Sequence, residues 1–187
     1  MKFVPIETER LVVRPITPDD IEDLVDRRSD PSTAAYQAWT VPYSLERGRA
    51  LVEECTVKGG PSPDSWYQVV VAERDTQRIV GDLAARLSDN SKTAEIGYTL
   101  HTWARGRGYA TESSIALCEY LVRVEGVHRL EASTHPDNRA SISVLERLGF
   151  KAEGIRRESY WVGDTVSDDA MFGLLARDWV PPVRKQL

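Results

Sequence analysis

Residues 104–113 read ARGRGYATES and place two arginines and two glycines directly before a segment with a helical apolar pattern. Glycine is a poor helix former, but it lets the backbone come close to a ligand. The first N–H groups of a helix have no partner inside it, and they carry the positive end of the helix dipole. These groups and the arginines together suit a phosphate or pyrophosphate group. The alternative is a surface turn with solvated charges.

Two common phosphate-binding motifs do not fit this segment. A dinucleotide-binding GxGxxG loop would need glycine at the position of Thr111. A Walker A loop would need lysine followed by serine or threonine after its last glycine, and that pair is absent from the segment. An anion site here therefore belongs to another class.

Composition and charge exclude several function classes. The 187 residues suit one domain, residues 1–187, and carry a net charge of -5, which disfavours broad nucleic-acid binding and slightly favours an amine substrate. Cys55 and Cys118 are far apart, and His101, His128 and His135 do not have metal-ligand spacing. We therefore expect no metal site.

Membrane insertion is not expected either. No apolar stretch approaches the roughly 20 residues that span a bilayer, and the N-terminal MKFVPIETERLVVR has no apolar core of a signal peptide. We expect a cytoplasmic protein.

The elements that would hold the Gly- and Arg-rich segment form an α/β pattern. Predicted strands cover residues 10–14, 66–73, 78–87, 93–100 and 128–134, followed by two more after Phe150; predicted helices cover residues 17–28, 44–58, 111–125 and 138–148. The segment thus connects the end of a strand at Leu100 to the start of a helix near Thr111.

Several motifs in the same order resemble the GNAT superfamily of N-acetyltransferases. Residues 105–110, RGRGYA, match the [Q/R]-x-x-G-x-[G/A] signature of that family, whose loop binds the pyrophosphate of acetyl-CoA. TERL with VRPITPDD, then AEIGYTLHTWARGRGYATES, NRASISVLERLGF and GDTVSDDAMFGLLARDW are similar to the RimJ/RimL-type branch. The resemblance covers essentially the whole chain.

The resemblance implies a fold and a cofactor site. It implies a mixed, mostly antiparallel sheet of about seven strands, splayed at the acetyl-CoA site and flanked by about four helices. The backbone of Tyr98, Thr99 and Leu100 would lie along the pantetheine arm, with one N–H facing the thioester carbonyl. Further cofactor-binding positions are Arg105, Gly106, Arg107, Gly108, Tyr109, Ala110, Thr111 as the helix cap, Asn138 and Ser141. Asn138 also fits a helix N-cap.

The chemistry of acetyl transfer assigns the catalytic candidates. The amine must lose its proton, which costs less for an α-amine with pKa about 8 than for lysine with pKa about 10.4. Glu95 is the candidate base, or else an exposed strand residue; Ser141 is the candidate that protonates the leaving thiolate, or else an ordinary helical serine. Leu145 occupies the position where many relatives have a tyrosine acid, so either Ser141 or a water serves instead, or no acid is used. Asp82 and Glu112 are interpreted as structural acids.

The acceptor stays open at this point. The branch resemblance suggests the N-terminal α-amine of a protein, while an amino acid, polyamine or antibiotic amine is the alternative. Trp39, Tyr43 and Trp103 could line either kind of pocket. A non-catalytic acyl-CoA-binding module and a phosphate-binding regulatory domain are the competing classes. Either a monomer or a homodimer is compatible with the sequence.

Overall fold

One eight-stranded mixed sheet organises the chain in the computed structural model, which describes residues 2–63 and 65–182. The strands are β1 Ile6–Glu7, β2 Leu11–Pro15, β3 Tyr67–Glu73, β4 Ile79–Leu87, β5 Thr93–Leu100, β6 Arg129–Thr134, β7 Lys151–Val162 and β8 Thr165–Leu175. Their order in the sheet is β1-β2-β3-β4-β5-β6-β8-β7. All neighbours are antiparallel except the parallel pair β5 and β6. The α/β class and the mostly antiparallel sheet are confirmed, and the two-residue β1 is the strand that the sequence did not indicate.

In the part of the chain that the structure describes, five α-helices accompany the sheet: α1 Ile21–Ser29, α2 Pro31–Ala34, α3 Leu45–Lys58, α4 Tyr109–Arg123 and α5 Arg139–Arg147. Local side-chain chemistry sets several of their ends. The Ser44 hydroxyl accepts from Arg47 N at the start of α3, and Gly59 ends that helix with φ 69°. The four-residue α2 is the helix that the pattern did not predict.

The start of α4 corrects one prediction. The helix begins at Tyr109, two residues before the predicted start, and Gly108 is its N-cap residue. Glycine tolerates the φ of 78° that turns the chain directly into the helix, so Thr111 lies in the first turn and is not the cap.

The helices cover opposite faces of the sheet. Asp82 of β4 pairs in register with Thr99, and the next residue, Leu83, pairs with Tyr98. Asp82 contacts arginines of α1, whereas Tyr98 contacts α5, and neighbouring residues of a strand point to opposite faces. The central strand β3 is buried over six consecutive residues, as expected for a strand covered on both faces. Within residues 2–63 and 65–182, no helix is long and apolar enough to cross a membrane.

The sheet splays between β5 and β6. The two strands pair only from Thr93 with Arg129 to Glu95 with Glu131. Beyond that point β5 continues along β4 as far as Leu100, and β6 continues along β8. The two strands therefore separate after Glu95 and open a V-shaped gap, which confirms the predicted splay.

Candidate active site

The predicted anion-binding loop occupies residues 105–108, between a 3-10 turn at Thr102–Ala104 and helix α4. Gly106 and Gly108 both have left-handed φ angles, 74° and 78°. A Cβ on Gly106 would meet nothing within 4 Å, while one on Gly108 would lie 3.4 Å from Arg10 Nη2. Because the first N–H groups of α4 have no acceptor within the helix, an open, glycine-lined cradle faces free donors. This geometry fits the pyrophosphate of a bound coenzyme A.

Glu112, a half-buried acid on α4, holds the loop in place through Arg10. Arg10 Nη1 donates to the Arg107 carbonyl at 3.0 Å. The Glu112 carboxylate in turn accepts from the backbone N of Arg10 at 2.9 Å and lies 2.7 Å from the Arg10 guanidinium. The Thr8 hydroxyl donates to Glu112 at 2.6 Å. Burial by itself raises the pKa of Glu112, but these donors outweigh it and hold the pKa below its ordinary value. Glu112 is therefore placed as a structural acid, as the sequence suggested.

The side chains of the loop mostly serve the scaffold. Tyr109 is buried, and its hydroxyl donates to Glu73 Oε1 at 2.9 Å. The Arg107 guanidinium is exposed and lies 5.8 Å from the Trp103 ring. Arg105 reaches away from the loop and donates to Thr33 Oγ1 on α2 at 2.7 Å. Ala110 and Thr111 follow the loop and are half-buried in the first turn of α4. The backbone of the loop is thus the part left for a ligand.

The end of β5 forms one side of the V-shaped gap. A Cβ on Gly81 of β4 would lie only 2.1 Å from the Thr99 carbonyl oxygen, so glycine is required for this close strand approach. Thr99 is buried and Leu100 half-buried. In the described residues β6 does not pair with β5 beyond Glu95. The backbone of residues 98–100 therefore borders the gap, where a pantetheine arm would run.

A tyrosine of β5 meets the N-terminus of α5 across this gap. The Tyr98 hydroxyl donates to the Ser141 carbonyl oxygen at 2.9 Å and lies 2.8 Å from Ser141 Oγ. Burial raises the pKa of Tyr98 well above its ordinary value. Asn138 caps α5 by accepting from Ser141 N at 3.1 Å, and Leu145 is buried in the core. Sequence reasoning used only the backbone of Tyr98; its hydroxyl could have been found only from the contact with α5.

A cleft of about 1480 Å³ opens on the face of the sheet that carries α1 to α3. Its floor includes Glu95, Gly97 and Thr99 of β5. One wall consists of α2, α3 and the loop between them, and the β7–β8 hairpin forms the opposite wall. The cleft and the V-shaped gap therefore share strand β5.

Glu95, the predicted base, lies on the floor of this cleft. Its Oε2 is 2.7 Å from Arg86 Nη2, and the Arg86 guanidinium stacks 5.1 Å from the Trp66 ring. A register shift of one residue would have turned the carboxylate to the opposite face. The carboxylate of Glu95 therefore lies at the cleft and is shared with Arg86.

Arg28 brings the two predicted acceptor-side aromatics together. Its guanidinium lies 4.4 Å from the Trp39 ring and 5.1 Å from the Tyr43 ring. The Trp39 indole N–H donates to the Arg28 carbonyl at 2.9 Å, and Arg28 Nη1 donates to the Tyr43 hydroxyl at 3.2 Å. Both rings line the cleft. Asp82, buried beneath them, binds Arg27 at 3.1 Å and Arg28 at 3.4 Å, which makes it a structural acid.

Trp103 lies elsewhere. Its ring stacks under the Arg78 guanidinium at 3.6 Å and beside His101, with ring centroids 5.9 Å apart. It lines a separate cavity of about 560 Å³ on the far side of α1 and α2. The structure does not bring Trp103 together with Trp39 and Tyr43, because the 3-10 turn at Thr102–Ala104 carries it past the end of β5.

Two residues of the hairpin wall escaped sequence reasoning. Asp169 of β8 lines the cleft, and burial raises its pKa against the opposing effect of Arg156 and His135. Tyr160 of β7 lines the cleft too, and burial together with the charges of Asp169 and Glu95 raises its pKa to about 12. Alternation along β8 could have indicated a face for Asp169, but not that this face meets β5. In the described ranges, no cluster of three or more His, Cys, Asp or Glu residues could hold a metal ion.

Comparison with known proteins gives a family match. Residues 10–151 match the family described as an acetyltransferase (GNAT) domain. The chain is 28% identical over 173 residues to the uncharacterized N-acetyltransferase p20 of Bacillus licheniformis, covering 92% of this chain and 96% of that protein. It is 23% identical over 187 residues to the ribosomal protein uS5-alanine N-acetyltransferase of Escherichia coli strain K12, covering 95% of this chain and 94% of that protein.

Solved structures share the same architecture. An acetyltransferase of the GNAT family from Bacillus anthracis superposes with a TM-score of 0.81 at 24% identity, covering 93% of this chain and 99% of that one. Spermidine N-acetyltransferase from Vibrio cholerae, in complex with CoA and spermine, superposes with a TM-score of 0.79 at 16% identity, covering 91% and 98%. At these identities the likeness establishes the fold.

Proposed function

Because the chain belongs to the GNAT acetyltransferase family and is an acetyl-CoA-dependent N-acetyltransferase, we propose that it acetylates the N-terminal α-amine of a protein. The observation that supports this most is the splay of β5 from β6, which joins the cofactor loop to a large open cleft. We call this the acceptor cleft. In this proposal the acceptor enters from the acceptor cleft and the cofactor lies along the V-shaped gap.

The acceptor must arrive at the thioester as a neutral amine. Bound acetyl-CoA supplies an activated acetyl group with a thiolate leaving group. In our proposal Glu95 takes one proton from the acceptor ammonium, directly or through water, and the freed nitrogen lone pair forms the bond to the acetyl carbon. A backbone N–H of residues 98–100 stabilises the negative charge that develops on the carbonyl oxygen. As the carbonyl re-forms, the carbon–sulfur bond breaks and its electron pair leaves with sulfur. The nitrogen gives its second proton to water, which balances the proton that the sulfur takes up.

The departing sulfur then needs a proton, and the Tyr98–Ser141 pair is positioned to give it. Ser141 Oγ and the Tyr98 hydroxyl lie 2.8 Å apart at the edge of the gap. The raised pKa of Tyr98 keeps its hydroxyl protonated at neutral pH. In our proposal this pair takes the place of the tyrosine acid that many relatives have at the position of Leu145. A thiol pKa of about 8.5 means that the acid contributes modestly, because the thiolate is already a good leaving group.

Two features favour a protein N-terminus as the acceptor. The acceptor cleft, about 1480 Å³, exceeds the roughly 300–1,000 Å³ of typical small-ligand pockets, so an extended chain can enter it. An α-amine also loses its proton far more readily than a lysine. The E. coli relative carries the name of a ribosomal protein alanine acetyltransferase.

A small amine is the second candidate. Glu95, Glu131 and Asp169 all line the acceptor cleft, and such carboxylates attract cationic ligands. The Vibrio cholerae structure is of a spermidine acetyltransferase with spermine bound.

An acceptor panel separates these candidates. The protein is mixed with acetyl-CoA and either peptides with a free N-terminus, the same peptides N-terminally blocked, spermidine, amino acids or aminoglycosides, while free thiol is followed. We expect thiol release with free-N-terminus peptides and none with the blocked ones. Release only with spermidine or another small amine would contradict the protein-acceptor proposal. CoA binding without release for any acceptor would instead indicate a non-catalytic acyl-CoA-binding module.

Three further predictions concern the whole chain. Residues 1–187 are proposed to form one domain, which a single cooperative unfolding transition would support. A monomer or a homodimer is expected, and sedimentation would distinguish them. A cytoplasmic location also stays a prediction.

A further inference from the structure

One guanidinium joins the cofactor loop to the wall of the acceptor cleft. Arg105 Nη2 donates to Thr33 Oγ1 at 2.7 Å, and Nη1 donates to Ser32 Oγ at 3.5 Å. Nη2 also lies 3.4 Å from the Leu100 carbonyl oxygen. The side chain of this loop residue thus connects the end of β5 with helix α2.

Helix α2 needs such an anchor. It has four residues, and a helix of that length is not stable by itself. Asp30 caps it by accepting from Thr33 N at 2.8 Å and from Ser32 Oγ at 2.6 Å. Hydrogen bonds, first that of Ser32, lower the pKa of Asp30, and the charge of Arg105 acts in the same direction. The side of α2 that carries Pro31 and Ala34 lines the acceptor cleft, while Arg105 binds the residues between them.

The segment after α2 carries the acceptor-side aromatics. Residues 35–43 follow α2 directly and include Trp39 and Tyr43. Residues 34–41 and Tyr43 all line the acceptor cleft. Any shift of α2 therefore moves this loop, which we call the acceptor loop.

A chain of hydrogen bonds and ion pairs makes a second connection between the same regions. It begins at His101, just before the cofactor loop, and ends at Arg28 beneath Trp39. The links are His101 Nε2 to Asp23 Oδ1 at 2.9 Å, Asp23 to Arg27, Arg27 Nη2 to Asp82 Oδ2 at 3.1 Å and Arg28 Nη2 to Asp82 Oδ2 at 3.4 Å. Arg27, Arg28 and Asp82 are buried, so their geometry is held by packing. The α1 side of the wall is thus fixed, and α2 is the part that depends on Arg105.

We propose that Arg105 is a positioning residue: its backbone belongs to the cofactor loop, while its guanidinium holds α2 and thereby positions the acceptor loop. The identification of that loop as acceptor-binding rests on the proposed function. Cofactor binding that orders residues 105–108 then also orders residues 31–43. Because such coupling is reciprocal, an acceptor that orders the acceptor loop raises the affinity for coenzyme A.

Amide hydrogen exchange of the full chain tests this without a known acceptor, with coenzyme A as the probe. In the wild-type protein, we expect CoA to slow exchange in residues 31–43 at least about threefold. Arg105→Ala abolishes that protection while its CoA affinity stays within about threefold, because the loop keeps its backbone N–H groups. Thr33→Val, which removes the acceptor of the same hydrogen bond, has the same effect. Arg105→Lys restores part of the protection, since one donor can still reach Thr33.

Arg78→Ala is the matched control, because Arg78 stacks on Trp103 beside the separate cavity of about 560 Å³. It leaves the protection of residues 31–43 intact. For any acceptor that the panel identifies, Arg105→Ala raises the acceptor KM about tenfold and leaves the KM for acetyl-CoA within about threefold.

Two results would overturn the proposal. One is wild-type protein in which CoA leaves exchange of residues 31–43 unchanged. The other is an Arg105→Ala variant that keeps the protection of residues 31–43 but loses CoA affinity at least about tenfold, which would place the guanidinium in the cofactor site. Failure of every acceptor in the panel would contradict the enzymatic proposal and leave the exchange result valid.

Discussion

The cofactor loop and the acceptor cleft are built in opposite ways. The loop is a continuous segment, residues 105–108, that leads directly into α4, and its ligand-facing groups are backbone N–H groups. The acceptor cleft combines side chains from α1 to α3 and from β3 to β8. A local site of backbone groups can be recognised from a short motif. A site of side chains from distant segments depends on register and packing, so its chemistry changes with any residue that lines it.

The same difference determines how side chains are used. Arg105 of the loop and the adjacent Tyr109 of α4 bind the scaffold through Thr33 and Glu73 and leave the loop backbone open. In the proposed acceptor cleft, the side chains of Glu95 and its neighbours line the space themselves. Substitutions that fill the glycine-lined cradle of the loop should therefore act on cofactor affinity. Loss of the Arg105 side chain, like substitutions in the cleft, should act on turnover and acceptor affinity instead.

The largest effect is expected from Gly108→Trp. Residue 108 has a left-handed φ of 78°, and a Cβ there would lie 3.4 Å from Arg10 Nη2. The indole of the introduced tryptophan would then fill the cradle. We expect CoA affinity, measured by calorimetry, to fall more than about 100-fold while the fold persists. Gly126→Trp is the control, since it has φ 69° and open surroundings in the turn after α4. Equal affinity losses in both variants would show that backbone strain, and not occupation of the cradle, is responsible.

In the acceptor cleft, Glu95→Gln tests the base. The amide keeps the size of the side chain but cannot take a proton, so kcat is expected to fall about 100-fold with unchanged CoA affinity. Glu131→Gln is the control, because Glu131 pairs with Glu95 in register and lines the same cleft. Steady-state rates with the best acceptor of the panel measure both. A Glu95→Gln enzyme with wild-type kcat would remove Glu95 from the mechanism.

Glu112→Gln should weaken the hydrogen bonds that hold the cofactor loop in place and leave the glycine-lined cradle itself unchanged. Loss of charged hydrogen bonds to Thr8 and Arg10 is expected to lower the free energy of unfolding at pH 7 by about 1–3 kcal/mol. Because the folded-state pKa of Glu112 is lowered, its stabilisation is fully present above the unfolded value of about 4.3 and is lost as pH falls through the folded value. Urea unfolding from pH 7 to pH 3 should therefore show the two proteins converging.

The control for that substitution lies on the same helix. Glu119 pairs with Arg123 on the exposed side of α4, so Glu119→Gln should change the unfolding free energy by less than about 0.5 kcal/mol. A loss at Glu119 as large as that at Glu112 would assign the effect to helix charge in general.

The smallest effect is expected from Asp169→Asn, which should raise the free energy of unfolding, whereas Glu112→Gln should lower it. Burial raises the folded-state pKa of Asp169, so the ionised carboxylate destabilises the fold above that pKa, and the penalty disappears below the unfolded value. The amide should stabilise the protein at pH 7 by less than about 1 kcal/mol, with the gain vanishing in acid. Thermal unfolding at pH 7 and pH 4 measures this. Asp168→Ala should instead destabilise, because Asp168 Oδ1 accepts from Glu158 N at 2.8 Å and alanine has no side-chain acceptor.

Local signals predicted the elements well. Strand Thr93–Leu100 has the predicted bounds, and Asn138 caps α5 as a short polar residue before an apolar repeat should. The predicted cap at Thr111 was wrong because a left-handed glycine, not a side-chain acceptor, starts α4. The short β1 was not predicted because two residues carry too little pattern, and Ile6 and Glu7 become a strand only by pairing with β2.

Side-chain roles were harder to predict. Trp39 and Tyr43 do meet in one wall, but through Arg28, which no motif singled out. The Tyr98 hydroxyl gains its surroundings from α5, and Asp169 of β8 lies across the cleft from β5; in both cases the partner segment is far away in sequence.

The sequence by itself determined the cofactor loop, because glycines that permit left-handed backbone, a signature arginine and a following helix are all local properties. Only the tertiary structure decided the acceptor cleft and the direction of Arg105. A strand shows its alternation in its own residues, but the face that becomes a site depends on what packs against it. The guanidinium of Arg105 therefore binds α2, 72 residues away in sequence, rather than the loop that carries it.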